Sequence, residues 1–237
     1  NFEALTTTST VSTNVVDDAD ATTVTLTASA ASVTEGGSIV YTATLNNAVT
    51  GTPLVITLSG GTTITIPVGQ STASSAAVPV RADDAYVQGT QAVVASITGT
   101  TGGNFEALTT TSTVSTSVTD DADATTLSIT GAASVTEGAA GTYTLALTNL
   151  VQSTAVTVNL TYSGTAVDGT DFTGQTTVTI PVGSSSVNFN LATLDDALDE
   201  AAETITVTIA SFTGGNFENR VISGSNGSVT TSIVDND

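Results

Sequence analysis

Acidic side chains stand in short clusters that return along the chain. Asp120, Asp121 and Asp123 lie within four residues, the same sequence Asp-Asp-Ala-Asp stands at 17–20, and a shorter variant stands at 235–237. Neighbouring carboxylates repel one another, and no Lys or Arg stands close by in the sequence to balance them. Oxygen ligands in arrays of roughly six to eight suit Ca²⁺ better than Zn²⁺ or Cu²⁺, and Mg²⁺ demands a tighter octahedron. The clusters therefore predict calcium sites that recur along the chain.

The composition excludes several classes of function. The 22 acidic residues face only two basic ones and give a net charge of −20, so neither nucleic acid nor an anionic membrane surface is an expected partner. The sequence has no His, Cys or Lys, which removes Ser-His triads, thiol nucleophiles, Schiff bases and histidine or thiolate zinc sites. A carboxylate pair of the glycosidase type is the one catalytic arrangement left, and we expect no enzyme.

The sequence repeats itself. Residues 1–20 return as 104–123 with differences only at positions 14/117 and 16/119. The repeat predicts three parts: the C-terminal strand of a preceding repeat at 1–20, one complete repeat at 21–123 and another at 124–237. No stretch of about 18 apolar residues and no leader is visible, so we expect an excised fragment of a longer chain that does not insert into a membrane.

Hydrophobic residues alternate with polar ones in both repeats, as at Leu54, Ile56 and Leu58, and turn residues separate the alternating runs. Seven such runs in about 100 residues predict an all-β fold of tandem seven-stranded antiparallel immunoglobulin-like β-sandwiches. Thr-Ile-Pro-Val-Gly stands at 65–69 and again at 179–183, which aligns the repeats and gives the second an insert of about twelve residues between 160 and 179. The insert contains Asp168 and Asp171.

The acids stand in loops that a sandwich brings to one end, and those positions make them candidate calcium ligands. In the first repeat they are Glu35, Asp83, Asp84, Asp120, Asp121 and Asp123; in the second they are Glu137, Asp171, Asp195, Asp196, Asp199, Glu200, Glu203, Asp235 and Asp237. Glu106 and Glu218 are interpreted as solvated surface acids.

Strand parity orders the closing acids. If Val118 and Ile233 both face inward, Asp120 is equivalent to Asp235, because a shift by one residue would turn Val118 outward. Asp120 is therefore the stronger candidate ligand, whereas Asp123 is left open as either a ligand of the same site or a residue that reaches across to the following domain.

The second repeat resembles a Calx-β domain. The segments that carry the resemblance are Gly-Thr-Ala-Val-Asp-Gly-Thr-Asp-Phe at 164–172, Thr-Ile-Pro-Val-Gly at 179–183, Asp-Asp-Ala-Leu-Asp-Glu-Ala-Ala-Glu at 195–203 and Val-Asp-Asn-Asp at 234–237. The resemblance implies calcium ligands at Glu137, Asp171, Asp195, Asp196, the carbonyl of Leu198, Glu200, Asp235 and Asp237.

The first repeat, with its Asn-Phe-Glu and Ala-Asp-Asp-Ala-Tyr segments, resembles the Ig-like extender repeats of large bacterial RTX adhesins. This resemblance implies ligands at Glu35, Asp83, Asp84, the carbonyl of Tyr86, Asp120 and either Asp121 or Asp123. Because Gln88 and Gln91 stand where the second repeat has Glu200 and Glu203, we expect fewer calcium ions in the first repeat.

The implied function is that of a calcium-rigidified stalk on the outside of a bacterial cell, secreted by a type I system, which projects adhesive domains for attachment and biofilm formation. Its expected partners are neighbouring repeats of the same chain, and the fragment is expected to be a monomer. The alternative is a calcium-dependent adhesive module that binds a ligand itself, against which the scarcity of aromatic residues argues, since only four Tyr and six Phe are present.

Overall fold

The computed structural model describes residues 3–6 and 8–237. All regular secondary structure in this part of the chain is β-strand, which confirms the predicted all-β fold class. The strand predicted at 1–20 falls partly outside the described residues, and 3–6 and 8–20 are exposed and belong to no strand. No helix among the described residues has the length and apolar character needed to cross a membrane.

The strands of the first repeat, in chain order, are β1 Ala21–Ala28, β2 Ser32–Thr34, β3 Ser38–Ile39, β4 Tyr41–Leu45, β5 Leu54–Leu58, β6 Thr63–Ile66, β7 Thr72–Ser74, β8 Val78–Pro79, β9 Gln91–Thr101, β10 Ala107–Thr109 and β11 Thr113–Thr119. Those of the second are β12 Ala124–Gly131, β13 Ser134–Thr136, β14 Ala140–Leu147, β15 Val156–Gly164, β16 Phe172–Thr173, β17 Thr177–Ile180, β18 Ser186–Thr193, β19 Glu203–Thr213, β20 Asn219–Ile222 and β21 Ser228–Val234.

The described residues divide into two compact units. The first takes in the described part of Asn1–Val33 together with Gly37–Val80 and Ala92–Val118. The second takes in Thr34–Gly36, Arg81–Gln91 and Thr119–Asp237. The acidic loops of the first repeat, at 34–36 and 81–91, therefore belong to the second compact unit.

Two sheets form the first unit's sandwich, with strand orders β10-β1-β4-β7 and β2-β11-β9-β5-β6. Alternation fixes which side chains face inward: Leu54, Ile56 and Leu58 on β5 are buried, while the residues between them are only partly so. They pack against the inward side chains of β1 and β4, including Leu26 and Tyr41.

The second unit has the same plan, with sheets β16-β18-β14-β12-β20 and β13-β21-β19-β15-β17. Tyr143 marks its centre, because its ring stacks on Phe189 at 5.4 Å and its hydroxyl donates to the Thr231 hydroxyl at 2.7 Å. Gly164 lets β15 pass close to β19, since it has φ +129° and a Cβ there would stand 2.1 Å from the Thr204 carbonyl oxygen.

The predicted strand number and the purely antiparallel pairing are wrong in detail. Short strands of two to four residues, such as β13 and β20, add to the predicted runs. Among the strand pairs described here, β1 with β10, β12 with β20 and β13 with β21 are parallel. Three or four paired residues give little alternation, so these strands leave little hydrophobic pattern in the sequence.

Candidate metal centre

The acidic loops of the first repeat are anchored by backbone hydrogen bonds inside the second compact unit. The Glu35 amide donates to the Thr119 carbonyl at 3.0 Å, as the Glu137 amide donates to the Val234 carbonyl at 2.9 Å. The residues that follow those two carbonyls are Asp120 and Asp235, so the structure gives the two aspartates the equivalence that strand parity predicts.

Arg81 supplies a cation that sequence distance conceals. Its Nε donates to Glu35 Oε2 at 2.9 Å, its Nη2 pairs with Asp120 Oδ1, and its Nη1 donates to the Gly89 carbonyl at 2.7 Å. The second Asp120 oxygen accepts from the amides of Gln88 at 2.7 Å and Gly89 at 2.9 Å. No cation lies close to these acids in the sequence, but the fold brings Arg81 to Glu35 and Asp120, and Asp120 has partners for both oxygens.

Glu35 has a second oxygen that no described group satisfies. The side chain is wholly buried, and its Oε1 has no hydrogen-bond partner. It belongs to a group with Asp121 and Glu218 whose ligand oxygens lie within 4.8 Å of one another. Glu218 Oε1 is also buried without a partner, and burial followed by the nearby Glu35 carboxylate raises the Glu218 pKa.

Asp83, Asp121 and Asp123 form a second group within the same 4.8 Å limit. The negative charge of Asp123 is the largest cause that raises the Asp83 pKa, with smaller contributions from burial and Asp121. Asp84 is used differently, because it accepts from the Tyr86 amide at 2.8 Å and from the Gln88 side-chain amide. Asp121 thus belongs to two of the close carboxylate groups. Asp84 instead accepts hydrogen bonds from within its own loop.

The insert of the second repeat brings Asp171 to Glu200 and Glu203, and their ligand oxygens lie within 4.8 Å of one another. Glu137 and Asp235 line the same cavity. Burial is the main cause that raises the Glu203 pKa, and the Asp171 carboxylate adds to it. These five carboxylates line one acidic pocket.

Backbone amides orient two carboxylates of this pocket. Asp235 accepts from the Glu200 amide at 2.9 Å and from the Asp237 amide at 3.3 Å, and these bonds lower its pKa. Glu137 accepts from the Asp196 amide at 3.2 Å, but its pKa is raised, chiefly by burial. Glu137 and Asp235 are therefore oriented by backbone amides of the neighbouring loops.

The remaining predicted ligands of the second repeat lie in the adjoining loop. Asp196 accepts from the Leu198 amide at 2.8 Å, repeating the bond between Asp84 and Tyr86. Asp195 accepts from the Asn236 side-chain amide at 2.9 Å. Neither aspartate is in one of the close carboxylate groups.

The model of the LapA domain family matches the sequence twice, at residues 20–121 and 123–236. The chain belongs to the LapA domain family. Because LapA is a large adhesin, this membership indicates an adhesin-related, non-enzymatic role at the cell surface, and it confirms the predicted resemblance to adhesin repeats.

Solved structures show more distant likenesses. The apo form of the Calx CBD1 domain is 20% identical with a TM-score of 0.41, and the match covers 48% of this chain and 98% of that one. CBD12 from CALX1.2 is 10% identical with a TM-score of 0.38, covering 88% and 99%. The calcium binding domain CBD12 of CALX1.1 is 12% identical with a TM-score of 0.34, covering 88% and 98%. No curated protein matches the sequence.

The two LapA domains differ in their built-in charge. Arg81 of the first LapA domain stands where the second has Thr193, and Gln88 stands where the second has Glu200. The first domain therefore carries its own cation at the equivalent place, but two of the three close carboxylate groups found among the described residues lie at its loops, so the expected smaller number of ions there stays a prediction.

Sequence reasoning missed Glu218. Its interpretation as a solvated surface acid is wrong, because its Oε1 is buried beside Glu35 and its Oε2 accepts from the Asp123 amide at 2.9 Å. The available signal was the segment Gly-Gly-Asn-Phe-Glu, which stands at both 102–106 and 214–218. Because this segment occurs in each LapA domain, its glutamate belongs to a repeated turn of the fold.

Tyr86 joins the acidic loop to this glutamate's turn. Its ring lies 5.6 Å from that of Phe217, and its hydroxyl donates to the Leu150 carbonyl at 2.6 Å.

We expect Tyr86→Phe to keep the ring contact and to lower the free energy of unfolding by about 1 kcal/mol, the usual net value of one hydrogen bond. Urea denaturation measures this loss. The hydroxyl contributes only to stability on this view, so a change in the stabilisation that calcium gives to Tyr86→Phe would contradict it.

Proposed function

We propose that this chain is a calcium-stiffened stalk segment of a large bacterial surface adhesin, which holds adhesive domains away from the cell during attachment and biofilm formation. The observation that carries the proposal is Glu35. Its wholly buried carboxylate has one oxygen paired with Arg81 and the other left without a partner beside Asp121 and Glu218. A buried, unpaired carboxylate oxygen among like charges is costly, and a cation removes that cost.

The donor set suits Ca²⁺. Every side chain in the three close groups offers carboxylate oxygen, the hard ligand that Ca²⁺ prefers, and the chain has no His or Cys to attract softer metals. The groups that would hold ions are Glu35 with Asp121 and Glu218, Asp83 with Asp121 and Asp123, and Asp171 with Glu200, Glu203, Glu137 and Asp235. The carbonyls of Tyr86 and Leu198 and the side chains of Asp84, Asp120, Asp195, Asp196 and Asp237 stay predicted ligands.

An ion supplies positive charge that several carboxylates share. Glu35, Asp121 and Glu218 are far apart in the sequence, so one ion bound by all three would cross-link distant segments and remove their freedom to separate. Ion binding to the folded form alone also stabilises it by mass action. This combination would convert a string of LapA domains into a stiff rod.

Affinity would set where the rod forms. Extracellular calcium modules commonly have Kd values of about 10⁻⁴ to 10⁻³ M. With such values the acidic groups would be largely empty at cytosolic calcium concentrations and filled outside the cell. That behaviour suits type I secretion of an unfolded chain which then folds and stiffens at the cell surface.

Isothermal titration of the metal-free chain with calcium tests the proposal. We expect binding of more than one ion, with a magnesium titration as the matched control giving much weaker heats. In parallel, EGTA should lower the melting temperature and broaden the distribution of dimensions in small-angle scattering. Absence of calcium heats, together with a scattering profile that EGTA leaves unchanged, would refute the stalk mechanism.

A further inference from the structure

The Gly-Gly-Asn-Phe-Glu turn has the same backbone shape in both LapA domains. Gly103 and Gly215 have φ values of 78° and 75°, and the asparagine that follows each also has a positive φ. A Cβ on Gly103 would stand 2.6 Å from the Phe105 ring, and one on Gly215 would stand 2.1 Å from the Phe217 ring. Each glycine thus makes room for the ring, and both turns hold their phenylalanine in the same way.

In the second compact unit this turn receives an extended segment, Ala85-Tyr86-Val87. The Glu218 amide donates to the Ala85 carbonyl at 3.1 Å, and the Val87 amide donates to the Asn216 carbonyl at 2.9 Å. The Asn216 side chain donates to the Val87 carbonyl at 3.0 Å. Tyr86 and Phe217 form an antiparallel β-bridge, and Phe217 is only 2% exposed.

The turn at 102–106 presents the same groups without that cover. Phe105 is half-buried, in contrast to Phe217, and no segment among the described residues is bridged to it as Tyr86 is to Phe217. The glutamate of the turn is already in place, because Glu106 accepts from the Asp20 amide at 2.7 Å as Glu218 does from the Asp123 amide. Strand pairing places it there, since β1 runs parallel to β10 as β12 runs parallel to β20.

We propose that the turn at 102–106 is a docking site for the Asp-Asp-Ala-Tyr-Val loop of another LapA domain, whose tyrosine covers Phe105. The occupant follows from what the equivalent turn already holds at 85–87, and from residues 17–20, which have the same sequence as the linker at 120–123. Backbone hydrogen bonds give the affinity and the aromatic pair gives the selectivity, as in β-strand addition to a sheet edge.

A consequence for calcium rests on the proposed function. Asp18 is equivalent to Asp121 and Glu106 to Glu218, so two acids of the three-carboxylate group that contains Glu35 are present at this turn. The docking domain would add the third from its Thr-Glu-Gly turn. Glu106 then becomes a ligand only when the loop is docked.

The test is a longer chain, in which a second copy of residues 21–103 is placed before residue 1 and so completes a domain with 1–20. We expect hydrogen exchange at the Glu106 amide, the group equivalent to the donor of Glu218, to slow by at least about tenfold relative to the unextended chain. Tyr86→Ala in the added copy alone should restore fast exchange while the core of that copy stays protected. Equal exchange at Glu106 in the extended and unextended chains would overturn the proposal.

The same experiment shows whether the docked loop comes from the same chain or from a second copy, and whether docking depends on calcium. Slower exchange that appears in the unextended chain as its concentration rises would assign the site to a second copy of the chain and overturn docking within one chain. Slower exchange that persists in EGTA supports the docking site even if calcium stiffening fails. Glu106→Gln in the extended chain should remove only the additional slowing that calcium brings.

Discussion

Replacing Phe217 with alanine is expected to lower the free energy of unfolding of the second compact unit by about 3 to 5 kcal/mol, the usual cost of removing a buried Phe side chain. The ring is 2% exposed, contacts Gly215 and lies 5.6 Å from Tyr86. Its loss leaves a cavity at the place where the loop at 81–91 meets the turn at 214–218. We therefore expect the loop to separate from the turn before the sheets unfold.

Phe105→Ala is the matched control, because the same residue stands in the same turn but is only partly buried. It should cost about half as much, since less apolar surface returns to water. Urea denaturation, monitored by hydrogen exchange so that each unit is observed separately, measures the free energy of unfolding of both variants. Equal losses for the two variants would contradict the role given to the contact between Tyr86 and Phe217.

Alternation was a good guide where strands are long. Leu54, Ile56 and Leu58 are all buried as predicted, because a strand with one buried face must alternate. The same alternation at Ala76, Val78 and Val80 predicts an inward-facing run, but Ala76 is exposed. There the Ser75 hydroxyl accepts from the Tyr41 amide at 3.1 Å in place of a backbone carbonyl, and the strand is interrupted between β7 and β8.

The positions of the acidic loops could be predicted from the sequence, but the residues that pair with the acids could not. The sequence showed which loops carry acids, and strand parity paired Asp120 with Asp235. It did not show Arg81, which precedes Asp120 by 39 residues and meets it only because the loops at 34–36 and 81–91 share hydrogen bonds. Contacts of this range depend on the whole topology, which a local pattern does not contain.

The two LapA domains illustrate two ways to hold acids together. Arg81 pairs with both Glu35 and Asp120, so one guanidinium charge is shared between two carboxylates. The pocket of Asp171, Glu200 and Glu203 contains no basic side chain among the residues that line it and has raised carboxyl pKa values at Glu203 and Glu137. An arginine gives constant stability, whereas an ion gives stability that follows its concentration.

Glu35→Gln is expected to remove most of the calcium-dependent stabilisation of the group that it forms with Asp121 and Glu218. The substitution keeps the side-chain volume and an oxygen that can accept from Arg81, but it removes the charge that a cation would share. A loss of ten- to a hundredfold in calcium affinity corresponds to about 1.4 to 2.8 kcal/mol. That range is similar to the roughly 2.7 kcal/mol that one site contributes at a calcium concentration one hundred times its Kd.

The result without calcium separates this loss from ordinary damage to the fold. In EGTA we expect Glu35→Gln to lower the free energy of unfolding by less than it does in calcium, because the weaker pairing of this buried side chain with Arg81 is opposed by less repulsion from Glu218, and Arg81 keeps its pair with Asp120. Glu106→Gln in the unextended chain is the control, since Glu106 is exposed and in none of the close carboxylate groups found among the described residues. Melting temperatures of each variant in calcium and in EGTA decide the question. If calcium raised the melting temperature of Glu35→Gln as much as that of the original chain, the buried oxygen of Glu35 would not be a ligand, because its charge would contribute nothing to holding the ion.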